Sequence, residues 1–296
     1  MPVTDAQTSA PSPSPSTGDV LRGYLLLPHA VPIIVVMTAT AALALVAAGG
    51  WPATGALLRL LGSMLGGQVA IGAINELVDV ELDRLSRPDK PIPAGLVSVR
   101  GARVMAGAGI AVKAVLGATF GPLPLVLIII GTGTGIAYSL WFKHTIWSWV
   151  PYLIALPLLP IWVWSALDQI DAAMFAVYPI GASAVISVQL AQSLPDVEAD
   201  RAAGVRTLAV ALGADRARLA CWVAMLFASG LGVALAPWLT ARPGLVWIAA
   251  GIVVVLVAAN VLLWTRDHRR GVLACFPLMA SGVVILGVAW VAALVA

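Results

Sequence analysis

The chain has 296 residues, of which 60% are hydrophobic and only 10% charged, against about 25% charged in an ordinary soluble domain. Its mean hydropathy is +0.98, and a soluble core this apolar would leave too little polar surface to cover it. A soluble globular enzyme, a nucleic-acid-binding domain and a disordered chain are thereby excluded, and the net charge of +3 reads as membrane orientation rather than as an anionic partner.

In chain order, residues 1–20 are expected to form a disordered Pro- and Ser-rich tail, with no basic region followed by an apolar stretch and hence no signal peptide. Residues 21–296 are expected to form a single transmembrane domain. Nine apolar segments follow, at approximately 25–48, 54–78, 102–119, 122–141, 147–166, 172–195, 218–238, 244–264 and 272–295. Each is a continuous run of the length that a helical span needs, not the short alternating pattern of a barrel strand. The expected class is an all-α polytopic membrane protein. Trp51, Trp141, Trp147, Trp149, Trp238 and Trp264 fall near span ends, as an aromatic belt would. Cys221 and Cys275 lie in apolar runs without metal-ligand spacing and are read as small core residues, not as a disulfide.

The 17 basic residues distribute unevenly over the loops. Fourteen lie before span 1 or after spans 2, 4, 6 and 8: Arg22, Arg84, Arg87, Lys90, Arg100, Arg103, Lys143, Arg201, Arg206, Arg216, Arg218, Arg266, Arg269 and Arg270. The opposite side carries only Arg242, while Arg59 and Lys113 fall inside spans, where snorkelling or pairing would accommodate them. This asymmetry places the N-terminus and the even-numbered exits in the cytoplasm and the C-terminus outside.

Spans 2 and 6 end in related decapeptides, NELVDVELDR (75–84) and QSLPDVEADR (192–201), which match at six of ten positions with a constant offset of 117 residues. Such an offset suggests two related halves, spans 1–4 and 5–8, with span 9 as an extra helix. Four residues turn an α-helix by about 400°, so positions i, i+4 and i+8 stay on one face. Asn75, Asp79 and Asp83 are therefore expected to form one polar stripe, and Gln192, Asp196 and Asp200 a second. Glu81 and Glu198 point to the opposite faces. Stacked carboxylates at membrane depth repel one another and are expensive unless a partner neutralises them. The donors are all hard oxygens with no convergent His or Cys, which suits Mg²⁺. Arg84, Arg87 and Lys90 follow the first carboxylate pair, Arg201 and Arg206 the second, and Lys143 closes span 4 on the same side. Carboxylates, a divalent cation and guanidinium or ammonium groups together are what a diphosphate needs. No Walker-type glycine loop is present.

On these residues the chain resembles the UbiA superfamily of intramembrane prenyltransferases. Asn75, Asp79 and Asp83 match that family's first aspartate-rich motif, and Asp196 with Asp200 its second. The segment RPDKPIPAG (87–95) looks like the loop after the first motif, GVRTLAV (204–210) like the segment after the second, and Tyr138-Ser139 with Lys143 like a signature ending the fourth helix. One departure is Glu76, where many members carry Asp. The resemblance implies nine helices, as two four-helix repeats plus one, around a central cavity open to the cytoplasmic side. It implies two Mg²⁺ ions held by Asp79, Asp83, Asp196 and Asp200 with Asn75 assisting, in the membrane of a bacterial or archaeal cell. The substrate would be a polyprenyl diphosphate whose diphosphate meets Arg84, Arg87, Lys90, Lys143, Arg201 and Arg206. Tyr138 and Gln192 would contact the acceptor or the allylic cation, and the acceptor would be an aromatic ring or a lipid-like hydroxyl. The 87–95 loop looks closer to lipid-glycerol and chlorophyll-type members than to the shortest quinone enzymes. A membrane terpene cyclase using the same ionisation, and a secondary transporter with intramembrane acids, remain alternatives.

Overall fold

A computed structural model describes residues 16–294. Every regular element among them is helical: α1 (Thr17–Leu26), α2 (Ala30–Ala47), α3 (Thr54–Ser86), α4 (Val99–Ala118), α5 (Pro122–Ala137), α6 (Val150–Ala166), α7 (Val177–Ser193), α8 (Val197–Ala202), α9 (Leu208–Leu212), α10 (Ala214–Leu239), α11 (Pro243–Arg266) and α12 (His268–Leu294). A π-helical turn, Tyr138–Phe142, continues α5, and 3₁₀ turns flank α7 at Ala172–Ala176 and Leu194–Asp196. Among the described residues, seven helical stretches are long and apolar enough to cross a membrane, and two shorter apolar helices occupy 32–47 and 150–166. The protein is an integral membrane protein by these elements.

The expected disordered tail, 1–20, is only partly covered by the described residues. Its residues 1–15 lie outside the described region, whereas 17–20 are already helical. Ser16 caps α1 by accepting a hydrogen bond from the Asp19 backbone N–H, and the Asp19 carboxylate accepts from the Ser16 backbone N–H in return, a reciprocal cap worth roughly 1 kcal/mol. The chain then breaks at Pro28-His29, where His29 takes φ 58°, so the first expected span starts at Ala30 rather than at residue 25. The break nests on α3: a Cβ on Gly72 would lie 2.6 Å from Pro28 Cα and 2.7 Å from its carbonyl oxygen. Only glycine admits that approach.

The packing repeats as the decapeptides do. α3 packs mainly on α4 and also on α2 and α5, while α7 packs mainly on α10 and also on α6 and α12. With α6 equivalent to α2 and α10 to α4, helices adjacent in the chain pack alike in the two halves, and α12 lies against α11 as α6 lies against α5, but α7 meets α12 where α3 meets α5. Small residues let α3 and α4 approach backbone to backbone: a Cβ on Gly109 would sit 2.5 Å from the Gly66 carbonyl oxygen. The second half has its own core, in which Cys221, Met225, Cys275, Met279 and Trp290 are buried together. The two cysteines are free, with sulfurs 3.8 Å apart. Trp51, Trp141, Trp147 and Trp238 are exposed near helix ends, but Trp264 is buried. The guanidinium of Arg218 stacks on it at 4.7 Å and on Trp222 at 5.0 Å, so Trp264 ties α10 to α11 instead of joining a belt. Lys113 neither snorkels nor pairs. It is buried between Gly67 of α3 and Thr132 of α5.

Candidate active site

α3 runs unbroken to Ser86, about two turns past its apolar stretch, and so carries the first polar stripe as one rigid helix face. Asp79 and Asp83 are buried, as is Glu76, whose exposure is 1%. Burial of three carboxylates on adjacent turns requires compensation, and two lysines from elsewhere in the chain supply it. Lys143 donates to Asp79 Oδ2 and, at 3.1 Å, to Asn75 Oδ1. Lys90 donates to Asp83 Oδ2 at 2.7 Å and to Glu76 Oε1 at 2.8 Å. His29 Nε2 also lies 3.0 Å from Glu76 Oε1, and Glu76 Oε2 has no hydrogen-bond partner among the described residues.

Local sequence explains how each lysine arrives. After α3 the chain turns back through bonds from the Lys90 amide to the Arg87 carbonyl and from the Leu96 and Val97 amides to the Pro91 carbonyl. Gly95 supplies the positive φ of 73° that this loop needs. Ile92 and Val97 are buried with Leu27, Ala73, Ala102 and Ala106, and that apolar anchor holds Lys90 over the end of α3. Burial pushes the Lys90 ammonium towards a lower pKa, but its bonds to Asp83 and Glu76 outweigh this and hold the pKa above the ordinary lysine value. Its contribution to stability is therefore complete below that ordinary value and is lost only as pH climbs through the raised one. Lys143 is delivered by the π turn, in which its backbone N–H donates to the Tyr138 carbonyl five residues back. One extra residue per turn rotates everything beyond it, a device common at functional sites. Tyr138 itself lies edge-on to Tyr152, with ring centroids 5.1 Å apart.

The second motif is built differently. Pro195 stands where α3 has Val78 and lacks the N–H that an α-helix would use. The helix breaks there into the 3₁₀ turn Leu194–Asp196 before α8 begins. Gln192, Asp196 and Asp200 therefore do not form the single α-helical stripe that their spacing suggests. Gln192 and Asp196 are exposed and Asp200 is half-buried, and neither aspartate has an ion-pair partner among the described residues. Gly204, at φ 75°, ends α8, and Thr207 caps α9 by accepting from the Val210 amide. Arg206 lies exposed between these two anchors.

Not every basic residue of the expected set turns towards the acids. Arg84 is bound to Glu81 at 2.9 Å and Arg201 to Glu198 at 3.0 Å, both as exposed i,i+3 pairs. The structure thus brings Lys90 and Lys143 onto the carboxylates, leaves Arg87 and Arg206 exposed without ion pairs among the described residues, and engages Arg84 and Arg201 on the outer helix faces. Sequence reasoning named Glu76 only as a departure from the family pattern and did not place His29 in the site. The signal for Glu76 was a second acid beside Asn75, and for His29 the adjacent Pro28, which marks a chain break.

Among the described residues no three His, Cys, Asp or Glu side chains gather into a ready-made metal cluster. The donor set nevertheless fits Mg²⁺, which takes one or two carboxylates from protein and completes its shell with water and phosphate oxygens. Each motif offers two aspartates.

The model of the UbiA prenyltransferase family matches residues 35–282. The chain is 30% identical over 233 residues to the bacteriochlorophyll synthase 33 kDa chain of Cereibacter sphaeroides, covering 73% of each. It is 32% identical over 147 residues to the digeranylgeranylglyceryl phosphate synthase of Natronomonas pharaonis, which is 49% of this chain and spans about half the length of that relative, 52%. A solved UbiA homologue from Archaeoglobus fulgidus, bound to GPP and Mg²⁺, superposes with a TM-score of 0.66 at 17% identity, over 90% of this chain and 99% of that one. At that identity the likeness is one of fold.

Proposed function

The chain belongs to the UbiA prenyltransferase family, and on that premise we propose that it is an Mg²⁺-dependent enzyme that moves a prenyl group from a polyprenyl diphosphate to an aromatic or lipid-like hydroxyl acceptor, releasing diphosphate. The observation that carries this reading is the buried stripe of Glu76, Asp79 and Asp83, neutralised at one end of the bundle by Lys90 and Lys143. A chain gains nothing in stability by burying three carboxylates against two half-buried lysines unless their arrangement serves another purpose.

Asp79, Asp83, Asp196 and Asp200, with Asn75 assisting, would hold the metal. Mg²⁺ held there would supply the Lewis-acid charge stabilisation that departure of a diphosphate from an allylic carbon needs. Lys90, Lys143, Arg87 and Arg206 donate to the departing oxygens. Arg84 and Arg201 contribute less in this reading, because each faces a neighbouring glutamate on an exposed helix face. The apolar helix walls keep water from the allylic cation until the acceptor attacks, and Tyr138 and Gln192 would contact the acceptor or the cation. The names of the relatives, a digeranylgeranylglyceryl phosphate synthase and a bacteriochlorophyll synthase, favour a lipid-like acceptor. Nine helices cross the membrane in this reading around a central cavity, with the motif loops and N-terminus cytoplasmic and the C-terminus outside.

The test is diphosphate release by the purified full-length protein supplied with prenyl diphosphates of several lengths and a panel of acceptors, with products identified by mass spectrometry. Mg²⁺-dependent release accompanied by a prenylated acceptor is the expected result. Release accompanied only by a cyclised hydrocarbon, or no release from any donor, would overturn it.

A further inference from the structure

The two motifs differ in a way that their sequences hide. In the first, both aspartates already accept from lysine ammonium groups, Asp79 from Lys143 and Asp83 from Lys90. In the second, Asp196 and Asp200 have no basic partner among the described residues, and Arg201, the nearest cation in sequence, is held by Glu198. Building on the prenyltransferase reading, we infer that the motifs load in order. Asp196 and Asp200 accept a divalent cation first, while Lys90 and Lys143 keep the first motif closed until a diphosphate draws them off.

An ammonium at hydrogen-bond distance competes directly with a metal for the same carboxylate oxygen. Displacing it without a new anionic partner would strand a lysine charge in a largely buried site. Lys90 is only 15% exposed and Lys143 25%, so water compensates them poorly. A diphosphate changes the balance, because its oxygens accept the two ammonium groups and leave Asp79 and Asp83 free. Metal and diphosphate therefore bind the first motif synergistically, each removing the obstacle to the other. The exposed Asp196 faces no such obstacle. Two consequences distinguish this from independent sites. Metal alone is bound weakly and only by the second motif. Removing a lysine improves binding of metal alone, although the same change harms binding of diphosphate.

The experiment measures Mn²⁺ binding to the full-length purified protein by electron paramagnetic resonance, without and with inorganic diphosphate. Without diphosphate, wild type is expected to bind weakly, with binding lost in Asp196→Asn and unchanged in Asp79→Asn. Diphosphate is expected to tighten binding by about tenfold or more, and Asp79→Asn to remove that gain. Lys143→Met and, independently, Lys90→Gln are expected to bind Mn²⁺ alone about tenfold more tightly than wild type. Two variants are used so that a folding defect in one, visible by size-exclusion chromatography, leaves the other decisive. Equal loss of metal-only binding in Asp79→Asn and Asp196→Asn, or no gain in either lysine variant, overturns the loading order. That failure is distinct from failure of the prenyltransferase reading, which shows instead as a wild-type protein that releases no diphosphate from any prenyl donor.

Discussion

Lys143 reaches Asp79 and Asn75 from a position 64 and 68 residues away in sequence, which makes it the residue on which the geometry of the first motif turns. Replacing Asp79 or Asp196 by alanine removes a carboxylate that no neighbour can replace, and turnover is expected to fall on the order of 10²–10³-fold or more in a protein that still inserts and folds. Diphosphate release by the purified variants, beside their chromatographic profiles, checks this. Arg84→Ala and Arg201→Ala are expected to stay within about threefold of wild type, because an exposed i,i+3 pair is worth at most about 1 kcal/mol. A large loss in either would return that guanidinium to the diphosphate site. The stripe Asn75–Asp79–Asp83 was legible from its spacing alone. Glu76 was not, because its partners Lys90 and His29 come from a loop and a chain break whose folding depends on tertiary contacts. The outward pairing of Arg84 and Arg201 was hidden for the opposite reason. Charge pattern shows which cations are near a motif in sequence, but not which are already satisfied.

At the scale of elements, two interruptions of helical regularity shape the site. The π turn at Tyr138–Phe142 aims Lys143, and the 3₁₀ turn around Pro195 sets the direction of α8. Neither was legible as geometry, although Pro195 was in plain view. The identity of the decapeptides at their acidic positions suggested equal helices, whereas one proline where the partner has valine is enough to break the ladder. Pro195→Ala is expected to let α7 run on towards α8, lowering turnover by about tenfold or more while the melting temperature holds or rises, since alanine restores the N–H that a continuous α-helix uses. A variant with unchanged turnover would show that the break does not matter. Gly72→Ala tests the other end of the site. Its Cβ would meet Pro28 at 2.6 Å, and the overpacking is expected to cost about 1–3 kcal/mol, read as a lower thermal midpoint. Unchanged stability would mean that the Pro28-His29 turn yields freely.

Across the whole molecule, helices adjacent in the chain pack alike in the two expected halves, while the two acid motifs diverge in backbone structure. Composition and apolar run length established the all-helical membrane class, because about 20 continuous apolar residues have few other uses. Run length did not reveal the short helix α1, whose ten residues are capped by Ser16 and Asp19. It also placed the end of span 2 about two turns early, since polar motif residues continue the same helix. The central claim is that both motifs, coming from different halves of the duplication, grip one diphosphate. The most direct measurement is an experimental structure of the protein with Mn²⁺ and a non-cleavable prenyl thiolodiphosphate, with the metal located by its anomalous signal. The expected result is a single diphosphate with metal between it and the carboxylates of Asp79 or Asp83 on one side and of Asp196 or Asp200 on the other. Metal and diphosphate held by one motif alone, with the other turned away, would contradict the account.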